Sequence, residues 1–141
     1  MIEIDPAFAD TAAFCARYGY PAEKSANTIL VASKKEPKSY AACVVLATTQ
    51  LDVNRRVCAL MEVSRASFAG ADEMRAVTGM EVGGVTPFAL PSGVPLYVDR
   101  RVADLDWVIL GGGGRRTKIK ISPEVLTALG GHFVEGLATE R

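Results

Sequence analysis

The period of apolar positions changes several times along this chain, and each change marks an element. Residues 2–5 alternate apolar and polar and predict a short strand. Asp10-Thr11 can cap a helix whose apolar side is Phe14 and Tyr18, four apart, with Gly19 as its stop. Residues 21–25 read as a further helical turn. Residues 27–33 (Asn-Thr-Ile-Leu-Val-Ala-Ser) and 40–47 (Tyr-Ala-Ala-Cys-Val-Val-Leu-Ala) predict two strands that are apolar on both faces, joined by a charged tip over 34–38. Strands without a polar face argue for a sheet covered on both sides, or curled into a barrel with helices outside.

Asp52 can cap a helix with Val53, Val57, Leu60 and Met61 on one stripe. Asp72-Glu73 open another, with Met74 and Val77 as its apolar positions and Gly79 as its end. Strands follow at 96–98, ending in Asp99, at 107–110, and at 115–121, where Arg and Lys alternate with Ile. Ser122-Pro123 starts a last helix, with Val125, Leu126 and Leu129 as its buried side and Gly130 as its stop. Residues 132–134 make a final short strand. The order β-α-β-β-α-α-loop-β-β-β-α-β mixes hairpins with helices. It predicts an α+β fold, a mixed, barrel-like sheet flanked by helices, and one domain over residues 1–141.

One segment fits neither period. Residues 80–95 (Met-Glu-Val-Gly-Gly-Val-Thr-Pro-Phe-Ala-Leu-Pro-Ser-Gly-Val-Pro) hold too much Gly and Pro for a helix or a central strand. Yet Val82, Val85, Phe88, Leu90 and Val94 are apolar and must sit against something. The segment reads either as a plug at one end of a core or as a shaped wall that contacts a ligand. Gly83 and Gly84 lack a Cβ, so a ligand can approach the backbone closely, and their N–H groups could line an anion or carbonyl site.

Composition narrows the chemistry. Lys plus Arg equals Asp plus Glu, at 16 each, so no global charge draws in nucleic acid and any RNA contact must come from a local patch. Cys15, Cys43 and Cys58 are scattered, which suggests a reducing compartment rather than a disulfide frame or zinc site. His132 is the only histidine, so a multi-histidine metal centre is excluded. No signal peptide pattern and no membrane-length apolar run is present, and the expectation is a soluble cytoplasmic protein without cofactor or metal.

The remaining candidates each have a plain alternative. Gly111–Gly114 follow a strand but lack the spacing of a phosphate loop; they make either a hairpin turn or a place for close packing. Arg100, Arg101, Arg115, Arg116, Lys118 and Lys120 make a basic cluster, with Lys118 and Lys120 on one strand face. That cluster is either a phosphate patch or a solvated edge. Asp99 is a structural ion pair or a site acid. His132 reads as a surface or core residue. Thr86, between glycines and a proline, is a hydroxyl placed to position a water or a carbonyl.

The run 78–88, Thr-Gly-Met-Glu-Val-Gly-Gly-Val-Thr-Pro-Phe, resembles the signature of the YbaK/EbsC family. These are aminoacyl-tRNA deacylases related to the editing domain of bacterial prolyl-tRNA synthetase. The strand pair at 27–47, Leu51-Asp52, Val98-Asp99, the glycine turn at 111–114 and Ser122-Pro123-Glu124 follow in the family's order. Members usually carry one more helix before the first strand, so a chain shortened at that end is expected. The resemblance implies a pocket for the 3′ end of a mischarged tRNA, a synthetase as a further partner, and hydrolysis of the aminoacyl ester without a metal. It implies Gly83, Gly84 and Thr86 as catalytic residues. Asn27, Thr28, Val85, Pro87, Phe88, Asp99, Gly112 and Gly113 are implied as substrate-binding. The family's lysine stands where this chain has Asn27, which can hydrogen-bond but brings no charge; Lys24 is the nearest upstream cation. A module that binds tRNA ends, nucleotides or protein without hydrolysis is the alternative function.

Overall fold

Two strands without a polar face occupy the middle of the molecule. The structure, a computed structural model, describes residues 2–80, 85–114 and 116–140. β1 (Ile2–Glu3) is followed by α1 (Thr11–Tyr18), then by β2 (Ala26–Ser33) and β3 (Tyr40–Leu46). β2 and β3 pair antiparallel along their lengths, with Thr28 opposite Val44. Because both faces of this ladder are apolar, both must be covered. Even positions Ala42, Val44 and Leu46 enter one core with Leu96, Val98, Leu110 and Leu126. Odd positions Cys43 and Val45 enter a second, with Val31, Leu51, Val57 and Leu137. Each valine or leucine among them, fully buried, contributes about 1.5–3 kcal/mol.

The ladder is extended on both sides. β5 (Ala66–Phe68) adds to β2, while β6 (Leu96–Asp99) adds in parallel to β3 and β9 (His132–Val134) in parallel to β6. A second sheet of order β1-β8-β7 contains β7 (Val108–Gly111) and β8 (Thr117–Ile121). A third pairs β4 (Thr49–Leu51) with β10 (Ala138–Glu140). A parallel bridge from Ser25 to Ile109 joins the start of β2 to β7 and curls the first sheet toward the second. This is the mixed α+β arrangement that the sequence predicts.

Phe14 docks α1 over the second sheet. It is fully buried, with Ile4, Ala9 and Ile109 around it, and its ring stacks on Tyr20 at 5.3 Å between centroids. Gly19, at φ 77°, closes the helix by donating its N–H to the Cys15 carbonyl. α3 (Ala71–Thr78) is tied to the β2–β3 hairpin through Glu73. Its carboxylate accepts from the Lys38 ammonium and from the Tyr40 hydroxyl, each at 2.9 Å. The Lys38 bond, then the Tyr40 bond, hold this carboxyl below the ordinary glutamate range.

Several local expectations are corrected. The helix after Asp52 opens as a wide π-type turn, Val53–Val57, before α2 (Cys58–Met61); Asp52 still caps it, accepting from the Arg55 N–H at 3.2 Å. The strand ending in Asp99 runs directly into a short helix, α4 (Arg100–Ala103). α5 (Glu124–Ala128) begins after Pro123 rather than at it, and Leu129 lies beyond its end, 38% exposed, instead of on its buried side. β4, β5 and β10 are three residues each, too short for alternation to register.

Phe14→Ala removes the side chain that seats α1. We expect it to cost about 3–5 kcal/mol in urea unfolding. A cost under about 1 kcal/mol would mean that α1 is held by other contacts.

Candidate functional site

The start of β2, the end of β7 and the start of β8 meet below α1, where they leave a cavity of about 210 Å³. Its lining among the described residues is Asp10, Thr11, Ala26, Asn27, Thr28, Val85, Gly111 and Lys118. The bridge between Ser25 and Ile109 sets this meeting point, and the β7–β8 pairing puts Gly111 opposite Lys118. A narrow extension continues between Thr11, Phe14, Ser25 and Lys118.

Each polar wall residue has a local reason for its position. Asp10 precedes α1 and its carbonyl accepts the Phe14 N–H at 2.8 Å, but its side chain makes no cap bond; the expected cap is only positional. Thr11 donates its hydroxyl to the Asn27 side-chain carbonyl. With that oxygen engaged, Asn27 offers a ligand its NH₂. Thr28 is 8% exposed, and its hydroxyl has no hydrogen-bond partner among the described residues. Such a group costs about 1–3 kcal/mol unless a water or ligand satisfies it. Lys118 is 5% exposed, and its ammonium lies 5.6 Å from the Phe14 ring centroid. Burying a lysine is costly, and contact with a ring face offsets part of that cost.

The structure brings together three of the residues expected from sequence, Asn27, Thr28 and Val85. Thr86, next along, is buried; its N–H approaches the Met80 sulfur at 3.3 Å, and its hydroxyl accepts from the Phe88 N–H at 3.4 Å, capping a 3-10 turn over Pro87–Ala89. Phe88 from that turn packs against the first core. Gly113, at φ 100°, sits beside Thr86: a Cβ on it would lie 3.8 Å from the Thr86 methyl carbon. A Cβ on Gly112 would lie 2.9 Å from that of Thr117, so the glycine turn is a close-packing device. Gly83 and Gly84 lie outside the described residues. Lys24 is not in the cavity wall; it pairs with Asp106 at 2.6 Å.

Asp99 ends β6 in the row of Asn27 and Val45, two strands across from Asn27, and is not among the described lining residues of the cavity. It is 1% exposed, caps α4 by accepting the Arg101 N–H at 3.3 Å, and leaves one carboxylate oxygen without a hydrogen-bond partner among the described residues. Burial raises its carboxyl above the ordinary aspartate range, against the opposing Arg101 N–H and guanidinium. His132 is exposed on β9, its ring 6.0 Å from that of Tyr97.

Sequence reasoning missed Thr11, Asp10 and Lys118 as cavity residues. For Lys118 a signal existed: the alternation Thr-Lys-Ile-Lys-Ile puts its lysines on one face. Only the placement of α1 decides that one of them is buried.

The family model for the aminoacyl-tRNA editing domain matches residues 5–129. The chain belongs to that family. It is similar in structure to a proposed trans-editing enzyme for prolyl tRNA synthetase, at a TM-score of 0.83 and 20% identity, over 99% of this chain and 85% of that one. It also resembles the hypothetical protein APE2540, at a TM-score of 0.85 and 28% identity, over 98% and 89%. Among the described residues, no helix is long and apolar enough to cross a membrane.

The raised Asp99 carboxyl has a defined sign. The folded state holds its proton more tightly than the unfolded chain, so the contribution of Asp99 to stability is fullest below about pH 4 and falls as pH rises through the folded value. Asp99→Asn keeps a cap residue and removes the buried charge. We expect it to melt at or above the wild-type temperature at pH 7, with the advantage shrinking toward pH 4. A variant less stable at pH 7 than at pH 4, relative to wild type, would contradict the assignment.

Proposed function

We propose that this editing domain acts in trans as an aminoacyl-tRNA deacylase, with the acyl group of a mischarged tRNA lodged in the cavity at the start of β2. The observation that carries this reading is the wall itself: a buried Thr28 hydroxyl without a hydrogen-bond partner among the described residues, the Asn27 amide and the buried Lys118 converge on one small space. Its volume of about 210 Å³ is below the roughly 300–1,000 Å³ of larger ligand sites, which favours a small aminoacyl group over a whole nucleoside. Alanine and cysteine esters on the proline acceptor are the substrates in view, and a synthetase is the natural source of them.

Hydrolysis of an activated ester asks little of the protein. A positioned water adds to the acyl carbon and the carbonyl oxygen becomes an oxyanion. The C–O bond to the terminal ribose then breaks, and the water's proton ends on the ribose oxygen. Donors preorganised around the developing oxyanion supply most of the acceleration. Thr28, Asn27 and Lys118 are such donors on the cavity side; the family resemblance implies the N–H groups of Gly83 and Gly84 as further ones. Thr86 and Pro87 shape that loop. Lys118 brings the positive charge that Asn27 lacks.

The test is amino-acid release from Ala-tRNA and Cys-tRNA on the proline acceptor, with chelator present. Wild type should turn over. Thr28→Val and Lys118→Met should each lower kcat/KM by on the order of tenfold to a hundredfold, with folding retained by circular dichroism. Tight binding of the same tRNAs by wild type without turnover would replace this reading with a non-catalytic binding module. Undiminished turnover in both variants would remove the cavity from the mechanism.

A further inference from the structure

Lys118 is one end of a longer arrangement. Lys118 and Lys120 share a face of β8, about 7 Å apart by the strand's rise. Beneath them runs a row of rings. Phe14 stacks on Tyr20 at 5.3 Å, and Tyr20 meets Trp107 edge-on at 6.4 Å. Lys118 lies over Phe14, at the cavity, while Lys120 lies 4.4 Å from the Trp107 centroid, on the exposed surface. Lys24 reaches the same ring from another element, at 4.5 Å. Aromatic support holds long side chains in place while their heads stay available to solvent, so less rotamer entropy is lost when they bind an anion. Asp106 pairs with Lys24 at 2.6 Å at the outer end of this row.

Resting on the function proposed above, we infer that Lys120, Lys24 and Trp107 form a cationic track that leads from the cavity mouth and binds the phosphodiester backbone of the single-stranded 3′ end of an RNA. Lys118 marks the inner end, beside the acyl site. Lys120 stands one step out along β8, a separation comparable to that of consecutive phosphates along an extended strand. The chain is neutral overall, so a local row of this kind is where an RNA contact must come from. Asp106 opposes the bound phosphate and holds Lys24 back.

The experiment is the salt dependence of binding of an uncharged tRNA(Pro) transcript, read by fluorescence anisotropy. Lys120→Gln should weaken binding several-fold near 0.1 M salt and reduce the slope of log affinity against log salt by about one. Lys120→Arg should keep the slope. Asp106→Asn should tighten binding, since it frees Lys24 and removes a repelling charge. Lys35→Gln, on the exposed tip between β2 and β3, is the control and should change nothing. On a transcript trimmed of its single-stranded 3′ end, Lys120→Gln should have no effect. An unchanged slope, or the same loss on the trimmed transcript, would overturn the track. These readouts need no hydrolysis. A wild type that binds with this signature but releases no amino acid would fail the function proposed above and leave the track standing.

Discussion

The pairing of β2 with β3 is the constraint on which the other elements depend. Both strands are apolar on both faces, and neither face can be left to water. One face gathers β6, β7 and α5 into the first core; the other gathers β4, α2 and the approach to β10 into the second. With both faces taken, the ladder has only its ends open. The opening at the start of β2 coincides with the bridge to β7, and there the polar residues Asn27 and Thr28 precede the apolar run 29–32. The site is thus placed by the core: it is the end of the ladder left open among the described residues.

What collects at that end is chemically consistent. Among the described residues the Thr28 hydroxyl has no partner, which costs folding free energy where it stands, and Lys118 has been drawn off the surface. Such costs are tolerated where function uses them, as when donors must be aimed at a charge that appears only during reaction. The family assignment is in keeping with the acyl site proposed for this cavity. The track inferred along the row from Phe14 to Trp107 gives the proposed site a direction outward along β8.

Much of this was legible in the sequence. The long two-faced strands at 27–33 and 40–47, the glycine-stopped helices at Gly19 and Gly79, and the signature at 78–88 pointed to the fold and to its family. What was not legible is set by contacts far apart in the chain. Asn27 and Lys118 meet only because β7 bridges to the start of β2, and no local period encodes that bridge. Asp10 looks like a cap, yet its side chain belongs to the cavity wall. Thr86 looks like a free hydroxyl, yet its oxygen caps the turn that starts at Pro87. Asp99 reads as an ion pair or a site acid, and the structure makes it the cap of a four-residue helix too short to predict.

The central claim is that the acyl group of the substrate sits against the start of β2. A crystal structure with an alanyl-adenosine analogue, its ester replaced by an amide, tests it most directly. The account predicts the alanyl carbonyl within hydrogen-bond distance of at least two of Thr28, Asn27 and Lys118. An analogue bound instead in the groove between Gln50 and Arg55, beside the exposed Phe68, with the cavity at β2 holding only water, would contradict it.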